Sequence, residues 1–256
     1  MEQPRRMSKP LNADADAGKR TAQRFWARYF NFYDTLNEAA PYRRMIERHA
    51  ALLAPAPGDL ILDAGTGTGN VAVELLKSGA RVVGVDFVES ALEKCRAKAP
   101  AGDFRFADLT RPLEFEDAHF DKVACCCVLH VLGREAQEFA VGEFFRVVRP
   151  GGLVALTAFA EGFNPFTVYR ATLSERRRAA GLAEALRFGL THSLNTARIM
   201  YYVFRIKRRE QSGEYNFLTR EGLRAMLERA GFEVVLEERA FAGQCVNALA
   251  RKPDAA

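Results

Sequence analysis

Residues 60–69 read Leu-Ile-Leu-Asp-Ala-Gly-Thr-Gly-Thr-Gly, an apolar run, one carboxylate and three glycines at alternate positions, and a helical pattern begins at Val71. Strand, tight turn and helix in that order restrict the chain more than any other stretch. Glycines take positive φ and let a ligand come close to the main chain. The helix behind the turn offers unpaired N–H groups. In an open α/β sheet such a loop lies at the carboxyl end of a strand, where nucleotide-like ligands bind. The glycine spacing then selects among ligands. A dinucleotide loop reads G-x-G-x-x-G and sets a pyrophosphate on the helix N-terminus. Here the order is D-x-G-x-G-x-G, and Asp63 puts negative charge where the pyrophosphate would lie. A ligand with an ammonium or sulfonium group suits that position. Asp86 closes a second apolar run at 82–85, and an acid at the end of the second strand is positioned for ribose hydroxyls. The two acids fit an adenosine carrying a zwitterionic amino-acid tail.

With these residues the chain resembles the class I S-adenosylmethionine-dependent methyltransferases. L-D-A-G-T-G-T-G-N at 62–70 is similar to that family's first motif, and V-V-G-V-D-F at 82–87 to its second-strand acid. F-A-D-L at 106–109 resembles the segment beside the adenine, and F-D-K-V-A-C-C-C-V-L-H at 120–130 the fourth strand. F-R-V-V-R-P-G-G at 145–152 and F-L-T-R-E-G-L-R-A-M-L-E-R-A-G-F at 217–232 resemble the approaches to the fifth and sixth strands. The motifs keep family order over roughly 60–160 and 217–251. Tyr33 and Asp34, within F-Y-D-T-L-N, resemble the N-terminal Y-D-x-x-N element of the ubiquinone and menaquinone biosynthesis methyltransferases.

The resemblance implies S-adenosyl-L-methionine as cofactor and a set of roles. Asp63 faces the ammonium-bearing end, and Ala64, Gly65, Thr66, Gly67 and Gly69 form the loop that lets the backbone approach. Asp86 takes the ribose hydroxyls and Phe87 lies on the adenine face. Asp108 accepts from the adenine amino group, with Leu109 in the same pocket. Cys127 and Val128 offer backbone groups to the methionine part, and Tyr33 helps close the pocket, with Tyr29 the next candidate. His130, just past the fourth strand, is the candidate general base for a hydroxyl acceptor, because imidazole titrates near neutrality; a loop histidine with a satisfied hydrogen bond is the alternative.

The expected fold is α/β: a doubly wound, mostly parallel seven-stranded Rossmann-like sheet with an antiparallel C-terminal hairpin, N-terminal helices and a helical cap insert. Strands are expected near 60–64, 81–86, 103–107, 121–128 and 152–159, and helices near 69–78, 89–98 and 135–148. Alternation at that spacing means βαβ units with right-handed crossovers. Pro150-Gly151-Gly152 is a turn signal before the fifth strand. Residues 232–239 and 244–251 form the hairpin. Polar residues 1–18 are expected to be a disordered tail, and 19–256 the methyltransferase domain. Within that domain 19–53, broken at Pro41, is an aromatic-rich helical lid.

The interval 160–217 is long for a connection between sheet elements. Two helical patterns, near 166–188 and 191–210, make it a cap insert, and ten arginines and lysines against five acids make it strongly basic. Its aromatic and basic residues fit a solvated cap, a lid over a small-molecule acceptor, or peripheral docking on a membrane around Arg205–Arg209. No recognition motif supports nucleic-acid binding.

Of 256 residues, 48% are hydrophobic and 27% charged, as in ordinary globular proteins. There is no run of about 18 apolar residues and no secretory pattern at the N-terminus, so a cytoplasmic location is expected. Cys125, Cys126 and Cys127 are consecutive in a strand, and neighbouring strand residues point to opposite faces, so the triplet is not expected to converge on a metal. No C-x-x-C, H-x-x-x-H or carboxylate cluster is present, and no metal site is expected. Two rival readings stand beside methyl transfer: a non-catalytic methyltransferase-like module that binds a membrane or partner, and a nicotinamide-dependent oxidoreductase.

Overall fold

The computed structural model describes residues 12–254. Helix α1 (Asn12–Tyr33) is followed by α2 (Ala40–Leu52) and then by β1 (Leu60–Ala64), α3 (Asn70–Leu76), β2 (Arg81–Asp86), α4 (Glu89–Lys98), β3 (Asp103–Phe106), β4 (Phe120–Cys126), α5 (Arg134–Val147) and β5 (Val148–Phe159). Helices α6 (Pro165–Thr191) and α7 (Ser193–Gln211) form the insert, and α8 (Arg220–Arg229), β6 (Glu233–Ala240) and β7 (Cys245–Arg251) complete the chain. Residues 12–18 of the expected tail are thus helical; the remainder of it, 1–11, lies outside the described residues.

The seven strands have the order β3-β2-β1-β4-β5-β7-β6. β7 runs antiparallel to both β5 and β6, and the other pairs are parallel. The order reverses between β1 and β4, which opens a crevice at their carboxyl ends. Period-two alternation divides the apolar residues between the two faces. Ile61, Val82 and Ala124 face a core built with α1–α4, while Leu62, Val83, Val123 and Cys125 face one built with α5 and α8. Both faces are covered, which is why these strands read as continuous apolar runs.

One turn signal reads differently in three dimensions. Pro150-Gly151-Gly152 lies inside β5, where the register to β4 shifts between Phe120 and Lys122. The Gly151 N–H and the Gly152 carbonyl both pair with Lys252, so the backbone groups freed by the bulge are recovered from the chain beyond β7.

The insert closes over the crevice. α7 packs on α1 through Tyr202, whose ring meets Phe25 at 5.3 Å and Tyr29 at 5.4 Å. Arg209 lies over Phe25 at 4.7 Å and donates to the Tyr215 hydroxyl at 2.7 Å. Arg205 donates to the Tyr201 hydroxyl and also faces the Phe25 ring. Among the described residues no helix is long and apolar enough to cross a membrane.

Candidate functional site

Asp63 ends β1 and Asp86 ends β2, and both carboxylates are buried. Asp63 Oδ2 accepts from the Thr66 hydroxyl at 2.7 Å. Asp86 accepts from the backbone N–H of Gly67 (2.9 Å) and of Val88 (2.9 Å). The second acid therefore also holds the glycine loop in shape. Among the described residues neither carboxylate forms an ion pair. Burial without a cation pushes the Asp63 carboxyl up to about 7, helped by the neighbouring charge of Asp86, and Asp86 up to about 6. Two buried acids that lack a counter-charge are an acceptor set for a ligand bringing a positive group and hydroxyls. The residues present fit the adenosine-and-amino-acid group inferred from sequence.

Gly65 starts the turn with φ of 76°, and a Cβ built there would lie 2.3 Å from Cγ2 of Val128. The Gly65 and Thr66 N–H groups both donate to the Val85 carbonyl, at 2.8 and 2.9 Å. Loop and neighbouring strands thus close on each other with no space for a side chain. Gly65→Val is expected to lower stability by about 3 kcal/mol, from overpacking and left-handed backbone together. Urea unfolding of the purified variant measures this, and an unchanged midpoint would contradict it.

A cavity of about 190 Å³ runs from this loop into the insert. Asp63, Gly65, Thr66, Gly67, Asp86 and Phe87 line one end. Tyr33, Cys127, Val128 and His130 line its middle, and Phe163, Phe188, Met200 and Ile206 its far end. Ala64, Gly69, Asp108 and Leu109 lie outside it. Ala64 and Leu109 face the core under α5, and Gly69 precedes α3 against Cys95. Asp108 is engaged by α1: Lys19 donates to Oδ2 at 2.6 Å, and the Thr110 N–H and hydroxyl take Oδ1. That ammonium and the Thr110 donors hold the Asp108 carboxyl below its ordinary range despite partial burial. Gln23 donates to the Phe87 carbonyl at 2.9 Å, and the Phe30 ring lies against Gly67. Helix α1 therefore crosses the carboxyl ends of β1 to β3 as a roof.

The sequence reading missed several lining residues. Tyr42 donates to the Tyr33 hydroxyl at 2.9 Å and receives the Asn70 amide at 3.1 Å, which ties the aromatic roof to the start of α3. Burial, as the leading cause, pushes both phenols up, so both remain neutral hydrogen-bonding groups. Phe30 and Trp26 belong to the aromatic stretch already visible in sequence. Phe241, in the turn between β6 and β7, has no local signal.

His130 is 2% exposed, and its ring packs edge-on against Phe159 (4.6 Å) and Phe217 (5.2 Å). Burial in this aromatic cage lowers its pKa to about 3. Among the described residues its Nδ1 has no hydrogen-bond partner, which differs from the satisfied loop histidine offered as the alternative. The cysteine expectation changes in part. Cys125 faces the opposite core, but Cys127 has φ of 56°, which breaks strand alternation and turns it to the same side as Cys126. Contact with Cys127 and burial raise the Cys126 thiol; the Cys126 contact lowers the Cys127 thiol, but contact with Cys245 and burial raise it overall. Among the described residues no group of three or more His, Cys, Asp or Glu is arranged to hold a metal ion.

With this geometry in place, similarity to known proteins can be added. Residues 61–152 match the family described as methyltransferase domain. Over 111 residues the chain is 36% identical to a demethylmenaquinone methyltransferase of Clavibacter sepedonicus, a match covering 42% of this chain and 44% of that one. Over 119 residues it is 35% identical to an S-adenosyl-L-methionine-dependent Diels-Alderase of Talaromyces variabilis, covering 44% and 41%. The chain thus spans about half the length, or less, of these relatives. The solved structure of a 1,6-didemethyltoxoflavin-N1-methyltransferase of Burkholderia thailandensis, with bound 1,6-didemethyltoxoflavin and S-adenosylhomocysteine, superposes with a TM-score of 0.60. It is 20% identical and covers 97% of this chain and 94% of that one, a likeness of fold.

Proposed function

We propose that the chain, whose residues 61–152 match the methyltransferase domain family, is a class I S-adenosylmethionine-dependent methyltransferase that transfers a methyl group to a small hydrophobic or aromatic acceptor. The observation that carries this reading is the cation-free buried pair Asp63 and Asp86 opening into a cavity walled mainly by aromatic and aliphatic side chains. The bound cofactor supplies an activated methyl on sulfur, and its transfer is an in-line displacement. The chain's own residues orient and desolvate. In this reading Asp63 balances the positive end of the cofactor and Asp86 takes the ribose hydroxyls. The loop from Gly65 to Gly67 lets the backbone approach, and Phe87 covers the base. Tyr33, held by Tyr42, closes the middle of the cavity. The rings of Phe159, Phe163 and Phe217 exclude water from the acceptor, which keeps the displacement in a dry, ordered site.

His130 borders the cavity as a neutral imidazole. A base held at about 3 takes a proton only from an acidic donor or with a charge nearby. His130→Ala is expected to lower kcat only by roughly a few-fold, below the ~10²-fold of a well-matched general base, with little change in cofactor binding. Unchanged turnover would assign His130 to packing alone. The function itself is tested with methyl-labelled cofactor and a panel of phenols, quinols and other apolar acceptors, read by mass. An acceptor gaining one methyl supports the proposal. Conversion of a substrate with no gain in mass would reject it for a cyclisation on the same scaffold.

A further inference from the structure

Seven of the ten exposed large apolar side chains among the described residues lie on α6 and α7. Four of them, Leu182, Leu186, Leu190 and Leu194, recur every fourth residue and are 57%, 58%, 78% and 72% exposed. Spacing of four aligns Leu182, Leu186 and Leu190 along one face of α6, and Leu194 follows just past the break, at the start of α7. The opposite face of the same stretch points inward, with Ala185 and Phe188 buried and Phe188, His192 and Thr196 lining the cavity. Gly181 interrupts α6 with φ of 86° and ψ of 173°, non-helical angles that re-aim the segment carrying the leucines. A row of exposed leucines on a segment set off by a break is costly in water.

Basic residues outnumber acids on α6, with Arg170, Arg176, Arg177, Arg178 and Arg187 against Glu175 and Glu184, and Arg177 and Arg178 are exposed. The two acids of α6 are already held by arginines: Glu175 by Arg44 at 2.7 Å, and Glu184 by Arg187 at 2.7 Å. The remaining field is positive. A second copy of the chain would bring like charges together on such a face, and an aqueous surface would leave the leucines wet. An anionic lipid surface satisfies both, with leucines in the acyl boundary and arginines at the headgroups. We propose that the segment from Leu182 to Leu194 docks the protein on an anionic membrane. Within the basic stretch at 205–209, Arg205 and Arg209 already face the Phe25 ring of α1, so we place the docking element at the leucine row instead. The wall between bilayer and cavity is then one helix thick, which suits an acceptor that partitions into lipid.

Flotation of the full chain with vesicles tests this without any substrate, so the result does not depend on methyl transfer. The vesicles are phosphatidylcholine alone, or phosphatidylcholine with about one-third phosphatidylglycerol. Expected is flotation with the anionic vesicles, weakened by salt, and at least ~10-fold weaker binding for L186E/L190E. These side chains are exposed, so the variant should keep the melting temperature and the stabilisation by S-adenosylhomocysteine of the parent. No flotation with anionic vesicles at low salt would overturn the proposal. So would equal binding by L186E/L190E, which would reduce the effect to bulk charge. Self-association lost in that variant, without vesicle binding, would assign the leucines to a contact between copies and would also overturn it.

Discussion

Asp86→Ala is expected to abolish the stabilisation of the protein by S-adenosylhomocysteine. A ligand at 100 times its Kd stabilises a binder by about 2.7 kcal/mol, which for a chain of this size is a rise in Tm of roughly 5–10 °C. Asp86 acts twice. Its carboxylate is the group proposed for the ribose hydroxyls, and it also fixes the N–H groups of Gly67 and Val88. Loss of either contribution removes the pocket. Without ligand the variant should stay folded. The substitution removes two hydrogen bonds, but it also removes a carboxylate whose burial is unfavourable near neutral pH, and the two partly offset to within about 1 kcal/mol. Thermal scans with and without S-adenosylhomocysteine, NAD and NADP decide the matter. A shift retained in the variant would exclude Asp86 from the site, and a shift with NAD in the parent would exclude the cofactor assignment.

The second large effect is on pH. In the ligand-free protein Asp63 titrates at about 7 and Asp86 at about 6, whereas a ligand bringing positive charge and hydroxyls requires both ionised. Binding must therefore release protons wherever those carboxyls are protonated beforehand. The affinity for S-adenosylmethionine is expected to be flat above about pH 8. It should fall by up to tenfold per unit below about 7, and more steeply below about 6 as the second group joins. Calorimetry in two buffers of different ionisation enthalpy counts the protons. An affinity constant from pH 5.5 to 8 would mean that neither acid meets the ligand.

Stability of the ligand-free protein follows the opposite logic. The raised carboxyls contribute most below the unfolded-state value, and that contribution is lost as pH rises through 6 and 7. His49 and His130, lowered by burial to about 3, work the other way. Their contribution is present above the unfolded-state value near 6.5 and is lost as pH falls toward 3. The two trends oppose each other below about 6.5, so ligand affinity is the sharper readout.

What the chain revealed in advance was local. Leu60 to Gly69 specifies its own strand and turn, because apolar run, acid and glycines are neighbours and each has a backbone consequence. The same is true of Asp86 and of the break between α6 and α7. What it concealed depends on distance or on unusual backbone. Lys19 and Asp108 are 89 residues apart, and no pattern in either segment marks them as partners. The same-side arrangement of Cys126 and Cys127 rests on a non-glycine residue at positive φ, which alternation alone cannot foresee. Pro150-Gly151-Gly152 looks like an end of structure, yet it is a bulge whose freed groups are met by Lys252, a residue about a hundred positions away in the chain.

Helix α1 touches the glycine loop through Phe30, the base-side segments through Gln23 and Lys19, and the insert through Phe25 and Tyr29. Both compartments of the cavity thus share a single door leaf. Under the function proposed above, lifting it to release spent cofactor would also loosen the wall around the acceptor, which would couple departure of one product to departure of the other. The leaf's tie at Lys19 is a partly exposed ion pair that dissolved salt can weaken.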